Sequence, residues 1–241
     1  MRLRQTTDRY GFRYRGGENT RIEAFTDAAF AFAVTLLMIG GGHVPADVNQ
    51  LLSALDNVPG YAASFALLCL FWYAHYKWYR RYGIEDGRSI LLSLLLVFLV
   101  LIYVYPLHMM FNAAISIGGG AGSGEFHVRT WADWKVMYIV FGIAYASMSV
   151  VILLFYLHAQ RLREQLGLDA GEIAITRSGI LRWVVSAGVG ILSAALALLL
   201  RPPAQSALYA VPGFTYCLIA LSGSLLRRHL DRQLAAARAM P

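Results

Sequence analysis

Apolar residues run through this chain in six long blocks separated by short charged stretches. The blocks lie near 21–40, 58–79, 89–113, 134–158, 179–200 and 206–226. Each holds roughly the 20 mostly apolar residues that carry a helix across a bilayer core of about 30 Å. "SILLSLLLVFLVLIYVYPLHMMF" and "GILRWVVSAGVGILSAALALLL" are the most apolar of them. None shows the polar–apolar alternation of an outer-membrane barrel strand. The pattern predicts an all-α integral membrane protein with six transmembrane helices.

The first block is unlike the others. Arg21, Glu23 and Asp27 fall within its first two turns, and Thr35 interrupts its apolar run. At 100° per residue, Phe32, Thr35, Leu36 and Ile39 stand at i, i+3, i+4 and i+7 and form one stripe. Asp27, nine positions before Leu36, points to the other side. Geometry alone favours packing of the stripe against a neighbouring helix, and Thr35 alone reads as a hydroxyl bonded to its own i−4 carbonyl.

A carboxylate at the depth of Asp27 is costly without a partner. Trp72 and His75 share a face of the second block. His75 lies about 6 Å from that block's end, and Asp27 about 9 Å in from Arg21. These comparable depths predict that Asp27 meets His75, with Arg21 close by, tying the first two helices together. His75 as a metal ligand is disfavoured, because no second ligand shares its face at the required spacing.

Composition sharpens the membrane reading. Of 241 residues, 58% are hydrophobic and 15% charged, against about 25% charged in ordinary soluble domains. Mean hydropathy is +0.52. The net charge of +7 is spread over flanks rather than gathered in one patch, which disposes of nucleic-acid binding. Eighteen of the 21 Lys and Arg precede the first block, follow the last, lie between blocks two and three or four and five, or sit at the adjoining block ends, as Arg21, Lys77 and Arg182 do. The positive-inside rule then makes both termini cytoplasmic. Residues 1–20 and 227–241 are expected as basic cytoplasmic segments flanking a membrane domain at 21–226, and "LRRHLDRQLAAARAMP" as a short amphipathic helix near that face. No cleavable signal peptide is read in the first twenty residues. The aromatic cluster "FWYAHYKWYRRY" suits an interfacial belt. Cys69 and Cys217 lack metal spacing and read as packing residues. The glycine-rich 116–126 stretch reads as an external linker. No cluster of His, Asp or Glu suggests an enzyme, a cofactor or a metal centre.

The first helix resembles that of the transmembrane-protein-175 family of endosomal and lysosomal potassium channels. The family's Arg-x-x-x-Phe-Ser-Asp is met by Arg21, Phe25, Thr26 and Asp27, with threonine for serine, and "FAFAVTLLMI" (30–39) matches the run that follows. "FWYAHYKWY" is similar to the family's Phe-Trp-x-x-His, giving Phe71, Trp72 and His75, and Pro106 sits where the family often has a proline. The resemblance implies a potassium channel, with the potassium ion as permeant species, whose pore is lined by the first helix. A chain of this length holds one six-helix repeat, and short prokaryotic members are tetramers, so a homotetramer in the cell membrane is expected. The pore positions carried over are Phe32, Thr35, Leu36 and Ile39. Leu36 and Ile39 would form a hydrophobic constriction, and Thr35 would offer oxygen to a partly dehydrated cation. Phe32 departs from the aliphatic residue usual there. The chain has no TVGYG filter, so only a modest potassium preference is expected, and passage of protons is left open. A secondary transporter of a small cation or solute is the alternative; it would need broken helices near the midplane and more polar groups in the other helices.

Overall fold

The computed structural model of the chain describes residues 7–8, 10–39, 46–117, 130–203 and 207–238. All regular structure among them is helical: α1 (Arg21–Ile39), α2 (Val48–Asp56), α3 (Val58–Tyr82), α4 (Gly87–Ile117), α5 (Trp131–Arg161), α6 (Ala170–Leu199), α7 (Val211–Phe214) and α8 (Cys217–Arg238). Four stretches are long and apolar enough to cross a membrane: within α4, α5, α6 and Leu208–Arg228. The α2–α3 pair, bent by 45°, makes a fifth candidate. α1 spans 19 residues with three charges in its first two turns.

Two elements differ from expectation. The short α2 precedes the expected second span, with Asp47 capping it by accepting from the Gln50 backbone N–H. The last block is also broken rather than continuous. Thr215 and Ser193 both donate their hydroxyls to the Pro212 carbonyl, at 2.7 and 2.9 Å. A 3₁₀ turn (207–210) and α7 therefore lead to a break at 215–216, after which α8 begins.

α5 and α6 make the most extensive helix–helix contact, and glycine explains it. A Cβ on Gly142 would stand 2.6 Å from the Gly190 carbonyl oxygen, and one on Gly190 would stand 2.8 Å from that of Gly142. Small residues at such a crossing let backbones touch where lipid offers no hydrophobic push. An aromatic cluster packs where the ends of α3 and α5 meet the start of α6. Trp78 of α3 packs on Phe155 of α5 and donates to its carbonyl at 2.9 Å, and the Tyr82 hydroxyl pairs with that of Thr176 at 2.8 Å.

The segment before α1 is a packed strap. Asp8 organises its turn, accepting from the Tyr10 and Phe12 backbone N–H groups at 2.8 and 3.0 Å, while Gly11 adopts a φ of 88°. Its other oxygen meets Arg81 of α3 at 2.6 Å, both side chains buried. Phe12, fully buried, lies edge-on to Tyr82. Arg13 and Arg15 then converge on Glu172 at the start of α6, at 2.8 and 2.7 Å. Further along, a Cβ on Gly16 would stand 2.5 Å from the Tyr79 carbonyl oxygen. Arg80 donates to the Gly17 carbonyl and to Asn19. The strap thus fastens α3 to α6 and delivers the chain to α1.

Burial pushes the Asp8 carboxyl up, but Arg81 and the two backbone N–H groups outweigh it and hold it below the ordinary carboxylate range. A depressed folded value means the stabilisation is fully present above the unfolded pKa of about 4 and is lost as pH falls through the folded one. Asp8→Asn should therefore loosen the strap at neutral pH, by about 3 kcal/mol for the broken buried pair. Faster amide exchange at residues 10–16 in the variant, and in the parent only below about pH 4, would show it; identical protection at pH 7 would contradict it. Gly190→Ala should cost about 1–3 kcal/mol by forcing α5 and α6 apart. Gly188→Ala, where a Cβ meets nothing within 4 Å, should not destabilise. Thermal unfolding in detergent compares the two.

Candidate functional site

α1 begins with a reciprocal cap. The Glu23 backbone N–H donates to the Thr20 hydroxyl at 3.2 Å, and the Thr20 backbone N–H donates to the Glu23 carboxylate at 2.9 Å. This capping box assigns Glu23 a job that its place among the three charges did not reveal, although the Thr-x-x-Glu spacing is visible in the sequence. Glu23, Thr26, Phe30, Ala33 and Leu37 are buried, one stripe at helical spacing directed at α3 and α4. Thr26 donates its hydroxyl to the Ile22 carbonyl at 2.8 Å and needs no outside partner.

The opposite face is bare within the protomer. Phe32 is 57% exposed and Met38 61%, and Phe25 and Thr35 are exposed as well. Leu36 is half-buried at the edge of the core. The Ile39 side chain lies outside the described residues. Thr35 donates its proton to the Ala31 carbonyl at 3.1 Å, the ordinary habit of a helical threonine. Its oxygen keeps acceptor capacity on the exposed side.

Asp27 does not pair with His75, contrary to expectation. Its carboxylate accepts from the Trp72 indole Nε1 at 2.8 Å. His75, buried, bonds instead to the Ser93 hydroxyl of α4 at 3.0 Å, and the Tyr79 hydroxyl meets the same Ser93 oxygen at 3.1 Å. Trp72 and His75 stand three residues apart on α3, and angle decides which of them meets α1. His75 belongs to the buried stripe of Ser64, Leu68, Phe71, His75 and Trp78 on α3, where its ring packs on Phe155. Trp72 is turned toward α1, stacked on Tyr76. Arg21 is likewise not in an ionic cluster: it is exposed and makes no ion pair among the described residues.

Beside the Trp72–Asp27 bond, α1 and α3 border an open groove of about 300 Å³ lined by Phe30, Ala31, Val34, Leu68 and Cys69. Among the described residues no three His, Cys, Asp or Glu side chains converge as a metal site would require. The arrangement holds one helix firmly by one side and leaves an apolar stripe with a single oxygen on the other.

A double-mutant cycle distinguishes the observed pairing from the expected one. Trp72→Phe with Asp27→Ala should show a coupling of about 0.5–1 kcal/mol, and Asp27→Ala with His75→Ala a coupling within the error of additivity. Thermal unfolding in detergent gives both values, and the reverse order would restore the Asp27–His75 contact.

The family model "Endosomal/lysosomal potassium channel TMEM175" covers residues 21–106, which contain α1, α3 and most of α4. A protein of Marivirga tractuosa described as a potassium channel is 32% identical over 194 residues, which is 78% of each chain. The fold is similar to a crystal structure of a variant of the potassium channel MtTMEM175 in complex with a nanobody–MBP fusion protein. There the TM-score is 0.78 at 28% identity, over 94% of this chain and 100% of the other. With the motif helix, the helical architecture and a relative matched over most of its length, this chain belongs to the TMEM175 family of potassium channels.

Proposed function

We propose that four copies of this chain surround a potassium pore lined by α1. One observation carries this reading: α1 is buried through Phe30, Ala33 and Leu37 and bare through Phe32 and Thr35. An apolar stripe with one outward oxygen needs either lipid or other copies around it. Four such stripes around an axis give a narrow conduit with a ring of Thr35 oxygens, which a lipid-facing helix would not use. The family's channel activity favours the second arrangement.

In this reading α1, α3, α4, α5, α6 and the 208–228 region cross the membrane as six spans, with both termini in the cytoplasm of a prokaryotic cell. Leu36 and Ile39 close the pore by excluding water, and Thr35 hydroxyl oxygens replace part of the hydration shell of a passing cation. Potassium sheds water at less cost than sodium, which gives a modest preference without a carbonyl filter. Ions move passively down their gradient, and conduction needs no cofactor. Phe32, with its large ring, narrows the path on the side of Thr35 nearer the strap.

Reconstituted protein should carry potassium current. Thr35→Ala should lower the potassium-over-sodium permeability ratio by roughly threefold, about 0.7 kcal/mol, the value of one modest hydrogen bond. Leu36→Ala should raise the resting leak by on the order of tenfold as the constriction widens. Reversal potentials under potassium and sodium gradients measure both, and mass measurement in detergent should give a tetramer. Parental currents from both variants would remove these residues from the pore.

A further inference from the structure

A cavity of about 220 Å³ lies between α3, α6 and α8, beside the strap. Lys77 and Arg81 of α3, Arg182 of α6 and Arg227 of α8 all line it. Leu70, Trp183 and Ile219 are among the apolar residues of its wall, which also carries the hydroxyl-bearing Tyr145, Tyr156 and Ser186. The lining is graded along α3 and α8. Leu70 precedes Lys77 by about 10 Å on α3, and Ile219 precedes Arg227 by about 12 Å on α8. Both helices run toward the strap: Arg81 meets Asp8, and Leu234 of α8 lines a groove with Tyr10 and Gly11. On α3 and α8 the cations therefore stand nearer the strap than Leu70 and Ile219, while on α6 Arg182 stands beside Trp183 with Ile175 on its strap side.

These cations are not all matched by acids of the chain. Arg182 and Arg227 make no ion pair with any described residue. Arg81, 4% exposed, gives one nitrogen to Asp8, but its Nε finds no hydrogen-bond partner among the described residues. α6 is long and apolar enough to span the membrane, and Arg182, exposed, lies only about 5 Å inside the end of the apolar block at 179–200. At that level a guanidinium reaches the interface, where lipid phosphates lie, rather than the acyl chains. Guanidinium forks recognise phosphate oxygens in pairs. A soluble anion would have no use for Leu70, which is exposed, or for Ile219 and Trp183.

We propose that this cavity binds an anionic phospholipid, its phosphate held by Arg182, Arg227 and Lys77 and its acyl chain lying along Leu70 and Ile219. Basic pockets between membrane helices recognise such head groups. The site is independent of which residues line the pore, and binding is read without any measurement of current.

The test uses the full chain in detergent, incubated with dioleoylphosphatidylglycerol or dioleoylphosphatidylcholine, with and without excess inorganic phosphate. Lipid retained per protomer is counted by native mass spectrometry. Phosphatidylglycerol should be retained about tenfold more than phosphatidylcholine, and phosphate should not displace it. The Arg182→Gln/Arg227→Gln variant should lose that preference, while Arg201→Gln, beyond the far end of α6, should keep it. Equal retention of the two lipids by the parent protein overturns the proposal without recourse to any variant. An unchanged preference in the double variant overturns it too, and displacement by inorganic phosphate replaces the lipid with a free anion. Should the glutamine pair fail to purify, Arg182→Lys/Arg227→Lys keeps both charges and should retain part of the preference; complete loss would count against charge recognition.

Discussion

The rotation of α1 about its own axis is the constraint on which the rest depends. Phe30, Ala33 and Leu37 are buried against α3 and α4, and a turn of one residue would swing the helix by 100°. Such a turn would lift these side chains out of a packed core and carry Phe32 into it. Close-packed interiors resist even small changes of volume, so one angular setting is strongly favoured. That setting leaves Thr35 outward. The Trp72–Asp27 bond reinforces it from the flank, at the level where α1 and α3 begin to separate around their groove.

Within α1 the polar groups at its start are satisfied by single hydrogen bonds rather than by ion pairs. Glu23 returns to the backbone that starts its own helix. Asp27 takes an indole proton, and Thr26 a carbonyl one turn back. The heavier ionic work lies outside α1, where Arg13 and Arg15 share a single buried carboxylate on Glu172. Two cations around one anion remove the desolvation cost that a lone buried Glu172 would impose. The result is a stapled end on which α3, α6 and the chain leading into α1 are held together.

Much of this was legible in the sequence and some was not, for identifiable reasons. Long apolar blocks announce helices because length and composition dominate that choice, so α3, α4 and α5 cover their blocks within a few residues, while α6 starts nine residues before its block, at the Asp169 cap. That Phe32 and Thr35 share one side was legible because helical spacing fixes relative angles within one helix; that this side is exposed, with Leu36 half-buried at its edge, was not. Angles between helices are not fixed in that way. His75 and Trp72 are three residues apart, and which of them turns to α1 depends on the packing of Phe71, Trp78 and Phe155, which no local pattern encodes. The strap was hidden because its anchors, Arg81 and Glu172, are 73 and 157 residues from Asp8 and Arg15. The break at 215–216 was hidden because it comes from two hydroxyls converging on the Pro212 carbonyl, one of them from α6.

The capping box at Thr20 and Glu23 has an electrical consequence. By fixing where α1 begins, it fixes how far along the helix every later side chain stands. Thr35 is 14 residues beyond Arg21, about 21 Å of rise in a helix some 28 Å long. Were α1 to line the proposed pore across a bilayer of about 30 Å, that offset would set Thr35 about three-quarters of the way from the strap end. A cation arriving from that end would cross most of the membrane voltage before reaching its steepest barrier, and one arriving from the opposite face would cross little. The same barrier would therefore respond unequally to inward and outward driving force, a rectification written into the position of a single helix start.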